Sequence, residues 1–559
     1  MKKRKLTAFI LTFVTAFSLT ACGSSGGSDS IVVNTDSAAT DTGNKTSEGT
    51  ENNGKESVVT AGMVSAWGSS CVYFDAGNYT DFVWEQVYDR LWVSNADGTA
   101  EPRLAESYEF ADDYSSFTVH LNQNAAFSDG VPVTSADVVY TAQLLSDPVF
   151  KNVKGGLQIL AGTDDSGKEL SDNSIEVYAI DDYSVQFNLK TPVDEVKVFN
   201  AFNRYFYIVP EHIFGQYSTE ELNENNVWKE NPIGSGPWIY DSEIDGVQME
   251  FVANENFYLG APDFDRLVIK VVSGSQLLSS LLAGEIDTVP GGGIGSIPLS
   301  DWSAAVEDEN LGTISQPDYG YQAMIFNLQS EKMDNELIRR GITMAINKQS
   351  IVDNLLNGEG NVLYVPFSDA HPYVDYTQFT RYEYDPEAAK ALLEEGGFDF
   401  DQTLELIVPT GNEVRIQSTV LIQQDLAAIG VKVNITQYDF STLMQKMRDG
   451  EFDLGMCGSA GGVDPNTSNW ISNISSVNFS CVPDDRYVSL FTKADTVLKY
   501  EDKVAAYSKI WQKLQDESPI AYLYTDNELI AYNKNKLANL DTSKWTQLNW
   551  VTWKWDYIE

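Results

Sequence analysis

The chain is poor in positive charge. Its 559 residues contain 37 Lys and Arg against 81 Asp and Glu, which gives a net charge of −44 at pH 7. Proteins that bind nucleic acids need clustered cationic side chains to neutralise phosphates. The composition therefore argues strongly against a nucleic-acid partner, and it is typical of an exposed and soluble surface protein.

Histidine is also scarce, which bears on metal binding. The three histidines, His120, His212 and His371, lie in different segments and lack the spacing of a metal-ligand pair. We therefore expect neither a metal nor a cofactor.

Long hydrophobic runs are missing beyond the first twenty residues, so no transmembrane helix is expected. The run Leu6–Thr20 follows a basic start and is too short to span ~30 Å of hydrocarbon at about 1.5 Å per residue. It predicts a secretory signal peptide over residues 1–21. The sequence Leu-Thr-Ala-Cys that ends at Cys22 resembles the bacterial lipobox, which implies a lipid anchor on Cys22 at the outer face of the cytoplasmic membrane.

The segment 22–56 has almost no large apolar side chains and is rich in Ser, Gly, Thr, Asn and Asp. Such a composition cannot bury enough surface to offset the entropy of ordering. We predict a flexible tether with a reach of roughly 30 Å.

Cysteine is rare and leaves disulfide bonding open. Besides Cys22 the chain contains Cys71, Cys457 and Cys481, so at most one disulfide can form. A bridge between Cys457 and Cys481 is compatible with an oxidising location, but the sequence does not decide it.

About 500 residues remain after the tether, enough for two or three domains. A small α/β subdomain is indicated first. Ser116–Leu121 alternates as a strand, and Ser184–Leu189 has a second strand pattern. Between them, Thr134 is predicted to cap a helix, with Asp137 as its capping-box partner.

A β-α-β-α-β pattern follows later in the chain. Its strands are predicted at Leu404–Val408, Val431–Ile435 and Phe452–Cys457, with a helix over Glu413–Ile429 and a short helix capped by Ser441. This order implies a parallel sheet. Ligands of open α/β sheets lie outside the carboxyl ends of the strands, which points to the loops Pro409–Asn412 and Gly458–Asn466.

Seven segments carry a family resemblance, in order along the chain. They are LAESYEFADDYSSFTVHLNQNAAFSDGVPVTSADVVYTAQ (104–143), PIGSGPW (232–238), LLAGEIDTVP (281–290), IRRGITMAINKQSIVDNLLNGEG (338–360), YEYDPEAAKALLEEGGF (382–398), LIQQDLAAIGVKVNI (421–435) and GEFDLGMCG (450–458). Together they resemble the family 5 solute-binding proteins of ABC transporters, the oligopeptide, dipeptide and nickel type.

The resemblance implies an α/β fold of the two-lobed periplasmic-binding-protein type (type II, cluster C) with a subdomain inserted in lobe I. Lobe I is expected to comprise 57–95, 206–316 and 515–559, with the inserted subdomain at 96–205. Lobe II is expected at 317–514. Two chain crossings would form a hinge that closes the lobes on a ligand.

The loop after the third strand contains the candidate ligand carboxylate, Asp464, just before Pro465. In peptide-binding members this loop begins with Gly-Trp, and an aspartate three residues before the Asp/Glu-Pro pair binds the peptide α-ammonium. The matching positions here are Ser459 and Gly461, so that carboxylate is absent. Either Asp464 substitutes for it, or Asp464 only shapes the turn.

Further candidates for the cleft or hinge are mostly aromatic. Relatives often line the cleft just after the first strand of lobe I, and the chain is expected to cross into lobe II near residue 317. The alternative for each aromatic residue is ordinary core packing. The candidates are Trp67, Ser69, Tyr73, Tyr319, Tyr321 and Trp470.

Three functions from different classes are open to such a chain. The first is a monomeric receptor that delivers a short peptide, or alternatively an oligosaccharide or other polar solute, to the permease subunits of an ABC importer. The second is a sensing receptor or adhesin with the same fold. The third is a secreted enzyme, which lacks support because neither Gly-x-Ser-x-Gly nor His-Glu-x-x-His occurs.

Overall fold

The computed structural model describes residues 56–559 except for short gaps at 76, 96, 153–155, 172–173, 204, 460, 463, 472–484, 541–547 and 559. The predicted signal peptide, Cys22 and nearly all of the predicted tether lie outside the described residues. In the described part of the chain, no helix combines the length and apolarity needed to cross a membrane.

The strands are β1 (Val58–Met63), β2 (Trp92–Ser94), β3 (Ala100–Pro102), β4 (Ala105–Phe110), β5 (Ser116–Leu121), β6 (Val177–Asp181), β7 (Ser184–Asn188), β8 (Trp238–Ile244), β9 (Gln248–Ala253), β10 (Arg266–Val271), β11 (Thr288–Val289), β12 (Leu311–Pro317), β13 (Tyr321–Phe326), β14 (Gly360–Val362), β15 (Thr403–Pro409), β16 (Lys432–Tyr438), β17 (Leu454–Ser459), β18 (Ile520–Asn533), β19 (Leu537–Ala538) and β20 (Asp556–Tyr557).

The α-helices are α1 (Asn78–Trp84), α2 (Ser135–Ser146), α3 (Glu195–Asn203), α4 (Glu211–Phe214), α5 (Thr219–Leu222), α6 (Asn225–Glu230), α7 (Leu277–Leu282), α8 (Leu299–Glu307), α9 (Glu336–Met344), α10 (Lys348–Leu355), α11 (Pro386–Glu395), α12 (Glu413–Ala428), α13 (Phe440–Arg448), α14 (Arg486–Asp495) and α15 (Tyr500–Glu517). Short 3-10 helices occur at Leu157–Ile159, Gly274–Gln276, Ser468–Ile471 and Leu548–Lys554.

One large sheet runs through the molecule in the order β16-β15-β17-β13-β18-β11-β1-β10-β9-β8, and β12 and β14 also pair with β18. We call β1 and β8–β12 the first half of this sheet, and β13–β17 the second half. The long strand β18 belongs to both. Its residues 520–524 pair with β13, and its residues 527–533 pair with β12.

The predicted β-α-β-α-β unit is confirmed in the second half. Strand β15 is paired in parallel with both β16 and β17, and α12 and α13 connect the three strands. The predicted cap of α13 is wrong. Asp439 is the N-cap and accepts the Thr442 N–H at 2.9 Å, whereas Ser441 is the second residue of the helix and donates to Asp439 at 2.6 Å.

The predicted small α/β subdomain forms a separate four-stranded sheet in the order β4-β5-β7-β6. Along β5, Phe117 and Val119 are buried while Thr118 and His120 are partly exposed, which confirms the predicted alternation. Helix α2 begins at the predicted cap, since the Thr134 N–H donates to the Asp137 carboxylate at 2.8 Å.

The apolar residues pack into separate clusters. The largest joins β1, β9 and β10 to the small sheet and to α3. In the second half, alternate residues of β13 enter clusters on opposite faces: Tyr321, Ala323 and Ile325 on one, Met324 and Phe326 on the other. The mixed α/β class is therefore confirmed. The predicted boundaries of the lobes stay a prediction.

Candidate functional site

The chain crosses between the two halves of the sheet at two neighbouring places. One is 318–320, which joins β12 to β13, and the other is 526–527 within β18, where the pairing passes from β14 to β12. The crossings are adjacent, because the Thr525 hydroxyl donates to the Asp318 carbonyl at 3.2 Å. We refer to these two crossing segments as the hinge.

The carboxyl ends of β15 and β17 lie at this hinge. The strands are parallel, so the loops that follow them leave the same edge of the sheet. The last residue of β17, Ser459, is paired with Tyr321, the first residue of β13. The chain therefore leaves β17 beside the hinge, at the edge where α/β sheets bind their ligands.

Gly461 has no room for a side chain. A Cβ atom built there would lie 1.7 Å from the Tyr319 carbonyl oxygen and 2.1 Å from its carbon, far inside van der Waals contact. The backbone of the hinge thus occupies the space that the aspartate of peptide-binding members would need.

Asp464 is accessible to solvent but lies between protein walls. This enclosure raises the pKa of Asp464 above its ordinary value, while the charge of Lys197 and the Asn466 N–H, which donates to its carboxylate at 2.9 Å, oppose the shift. An exposed carboxylate can accept hydrogen bonds from a ligand.

Residues of the first and second halves of the chain meet around Asp464. A small cavity of about 10 Å³, roughly the room of one water molecule, is lined by Asp194, Val196, Lys197, Asn200, Tyr373, Asp464, Pro465 and Lys503. The segment at the start of α3 thus faces the candidate ligand loop directly.

The buried ring of His371 contacts the backbone of the same loop. Its ring is 1% exposed and is stacked on Phe367 with centroids 4.0 Å apart. Because the Tyr373 N–H donates to Nδ1 at 3.3 Å, the neutral ring carries its proton on Nε2 and donates to the Gly462 carbonyl at 3.2 Å. The sequence alone gives no signal for this contact of His371.

The candidates Trp67, Ser69 and Tyr73 belong to the packing of the first cluster. Tyr73 is fully buried, its hydroxyl donates to the Tyr207 carbonyl, and its ring meets Trp228 edge-on at 5.7 Å. Ser69 is 7% exposed and donates to Asn225 at 2.9 Å. Trp67 is partly buried against the same cluster. In this structure core packing accounts for Tyr73 and Ser69.

The candidates near the hinge divide in the same way. Tyr321 is 3% exposed and packs edge-on against Tyr522 at 5.2 Å, so it is a core residue. Tyr319 is half-buried and meets the His371 ring edge-on, with ring centroids 5.2 Å apart. Ser459 is half-buried at the end of β17. The side chain of Trp470 lies outside the described part of the structure.

Asp318, which the sequence did not single out, is a second carboxylate at the hinge. It is exposed, yet the surrounding protein raises its pKa, with a smaller contribution from Asp526. Among the described residues, no three His, Cys, Asp or Glu side chains converge to hold a metal ion. Cys71 and Cys457 are buried, and Cys481 lies in one of the gaps.

The chain resembles known proteins along most of its length. Residues 99–480 match the family described as bacterial extracellular solute-binding proteins, family 5. The oligopeptide-binding protein AppA of Bacillus subtilis is 25% identical over 563 residues, covering 96% of each chain. The heme-binding protein A of Haemophilus influenzae is 25% identical over 470 residues, covering 78% of this chain and 81% of that protein.

Solved structures show the same two-lobed fold. The structure of Bacillus subtilis AppA in complex with a nonapeptide has a TM-score of 0.67 at 23% identity, covering 90% of this chain and 100% of AppA. The substrate-binding protein CtaP of Listeria monocytogenes has a TM-score of 0.78 at 20% identity, with the same coverage. The chain therefore belongs to the bacterial extracellular solute-binding proteins of family 5.

Proposed function

We propose that the protein captures a short peptide between its two lobes and delivers it to the permease subunits of an ABC importer. The observation that carries this proposal is the position of Asp464 in the loop that follows β17, where its exposed carboxylate faces Asp194 and Lys197 across a small cavity. The similarity to an oligopeptide-binding protein over 96% of the chain supports a peptide as the ligand.

Recognition would use backbone groups and carboxylates near the hinge. Gly461 cannot be replaced by the ammonium-binding aspartate, so Asp464 and Asp318 are the carboxylates that an extended peptide would meet with its N–H or ammonium groups. Tyr319 offers a ring to a ligand side chain. Closure then follows because the ligand contacts both lobes only in the closed form.

An oligosaccharide is the alternative ligand. Tyr73 and Tyr321 are enclosed in core clusters and offer no ring to a sugar, and the similarity over 96% of the chain is to an oligopeptide-binding protein. We further propose that the protein is a monomer without enzymatic activity and that a lipid on Cys22 tethers it to the outer face of the membrane. Lobe boundaries at 316/317 and 514/515, with 96–205 inserted, belong to the same proposal.

Titration calorimetry with pools of short peptides and of short oligosaccharides tests the ligand. We expect heat from the peptide pool, and we expect Asp464→Asn to weaken binding because it removes the negative charge of the carboxylate. Asp399→Asn is the control, since Asp399 is exposed in a turn before β15. Binding of the saccharide pool with no heat from peptides would overturn the proposal.

A further inference from the structure

The segment at the start of α3 touches the second half of the chain through charged side chains. Asp194 and Lys197 belong to the part whose apolar residues, such as Val198 and Phe199, pack into the first cluster. Their partners, Lys503 and Asp495, lie on α15 and α14, whose apolar residues pack into a different cluster, together with β13. These ion pairs therefore span the two lobes.

The pair of Asp194 and Lys503 is almost fully enclosed. Their side chains are 7% and 3% exposed, and the ammonium donates directly to the carboxylate. Tyr373, itself 1% exposed, donates its hydroxyl to the other oxygen of Asp194 at 3.0 Å, and Lys503 lies 5.6 Å from the centre of its ring. Both charges have lost their water and depend on each other.

The second pair connects to the ligand loop. Lys197 lies 3.4 Å from the Asp495 carboxylate. The same carboxylate accepts the side-chain amide of Asn466 at 2.7 Å and the Tyr507 hydroxyl at 2.5 Å. Asn466 in turn holds Asp464 through its backbone N–H. Asp495 therefore positions the loop, and Lys197 reaches it from the opposite lobe.

We propose that Asp194, Lys197, Tyr373, Asp495 and Lys503 form a cross-lobe latch that stabilises the closed form and orders the ligand loop in the same step. The inference rests on the proposed closure of the lobes, but not on the ligand being a peptide. Asp194 and Lys503 are positioning residues, since neither needs to touch the ligand.

The position of the latch between lobes makes a distinctive prediction. When the lobes open, Asp194 and Lys503 both return to water, so loss of one partner penalises closure rather than the folding of either lobe. A pair within one lobe behaves differently. The Lys332 ammonium and the Asp453 carboxylate lie 2.7 Å apart, and both residues belong to the predicted lobe II. The Asp453 side chain is 8% exposed. Removing Lys332 takes the counter-charge from Asp453, which keeps hydrogen bonds from the Ser330 hydroxyl and the Glu405 N–H, and it does so in the open and the closed form alike.

Small-angle X-ray scattering of the whole protein, without ligand and with a saturating peptide pool, tests the latch. Under the condition in which the wild type is closed, with or without ligand, we expect Lys503→Met and Asp194→Asn to increase the radius of gyration. We also expect each substitution to weaken ligand binding about ten-fold or more. The double variant should be no more open than either single variant. Their melting temperatures should stay near that of the wild type.

Lys332→Met is the matched control and should lower the melting temperature without changing the scattering curve. The latch is overturned if Lys503→Met reproduces the wild-type curve under both conditions. It is also overturned if Lys503→Met lowers the melting temperature as Lys332→Met does while the curve stays unchanged. Absence of peptide binding with an altered ligand-free curve would instead count against the proposed ligand alone.

Discussion

Lys348 provides a sharp test of how burial changes the pKa of a side chain in this structure. It is the first residue of α10 and is 6% exposed. Its ammonium donates to the Leu363 carbonyl at 2.9 Å and lies 4.9 Å from the centre of the Tyr364 ring, without a carboxylate partner among the described residues. Burial without a counter-charge lowers the pKa of Lys348 to about 7.

The sign and size of the effect follow from linkage. Between about pH 7 and pH 10 the unfolded chain holds a proton on Lys348 that the folded chain has released, so stability rises with pH. Each pH unit in this window is worth about 1.4 kcal/mol. Between pH 7 and pH 9 the unfolding free energy of the wild type should therefore rise by roughly 2 kcal/mol relative to that of Lys348→Met.

The measurement is urea unfolding of both proteins at several pH values, read as the difference between their unfolding free energies. Subtraction removes the titration of all groups that the two proteins share. Lys513→Met serves as a control, because Lys513 is partly exposed and pairs with Glu517 on the same helix. A difference between wild type and Lys348→Met that stays constant from pH 7 to pH 9 would refute a buried neutral lysine.

Two further predictions concern residues near the site. Gly461→Ala should lower the unfolding free energy by about 1–3 kcal/mol and weaken peptide binding, because the Cβ of the alanine would meet the Tyr319 carbonyl. Urea unfolding and titration calorimetry measure the two effects. Gly462→Ala is the control, because the space around a Cβ at that position is open. Tyr73→Phe should cost about 1 kcal/mol through the lost bond to the Tyr207 carbonyl and leave peptide affinity unchanged. A loss of affinity in Tyr73→Phe would indicate that Tyr73 takes part in ligand binding.

Local patterns predicted the elements of the fold that depend on neighbouring residues. The alternation of Ser116–Leu121, the cap at Thr134 and the β-α-β-α-β order are encoded within short stretches, and the structure confirms them. The cap of α13 was misplaced by two residues because Asp439 and Ser441 are both good capping residues. Only the geometry shows which one accepts the Thr442 N–H.

The site was harder to predict because it depends on contacts between distant residues. Asp194 and Lys503 are 309 residues apart, and no spacing rule connects them. Tyr73 follows the first strand as an aromatic cleft residue would, but packing against Trp228 encloses it. The sequence correctly marked the loop after β17 as lying at the carboxyl edge of the sheet, since strand order alone determines that edge.

Native mass spectrometry of the purified protein, incubated with an equimolar mixture of short peptides and short oligosaccharides, tests the central claim most directly. The two ligand classes compete for one site, and the mass of the retained species identifies the winner. We predict a single peptide adduct that is weakened in Asp464→Asn and retained in Asp399→Asn. A retained saccharide, or no adduct from either class, would contradict a peptide receptor.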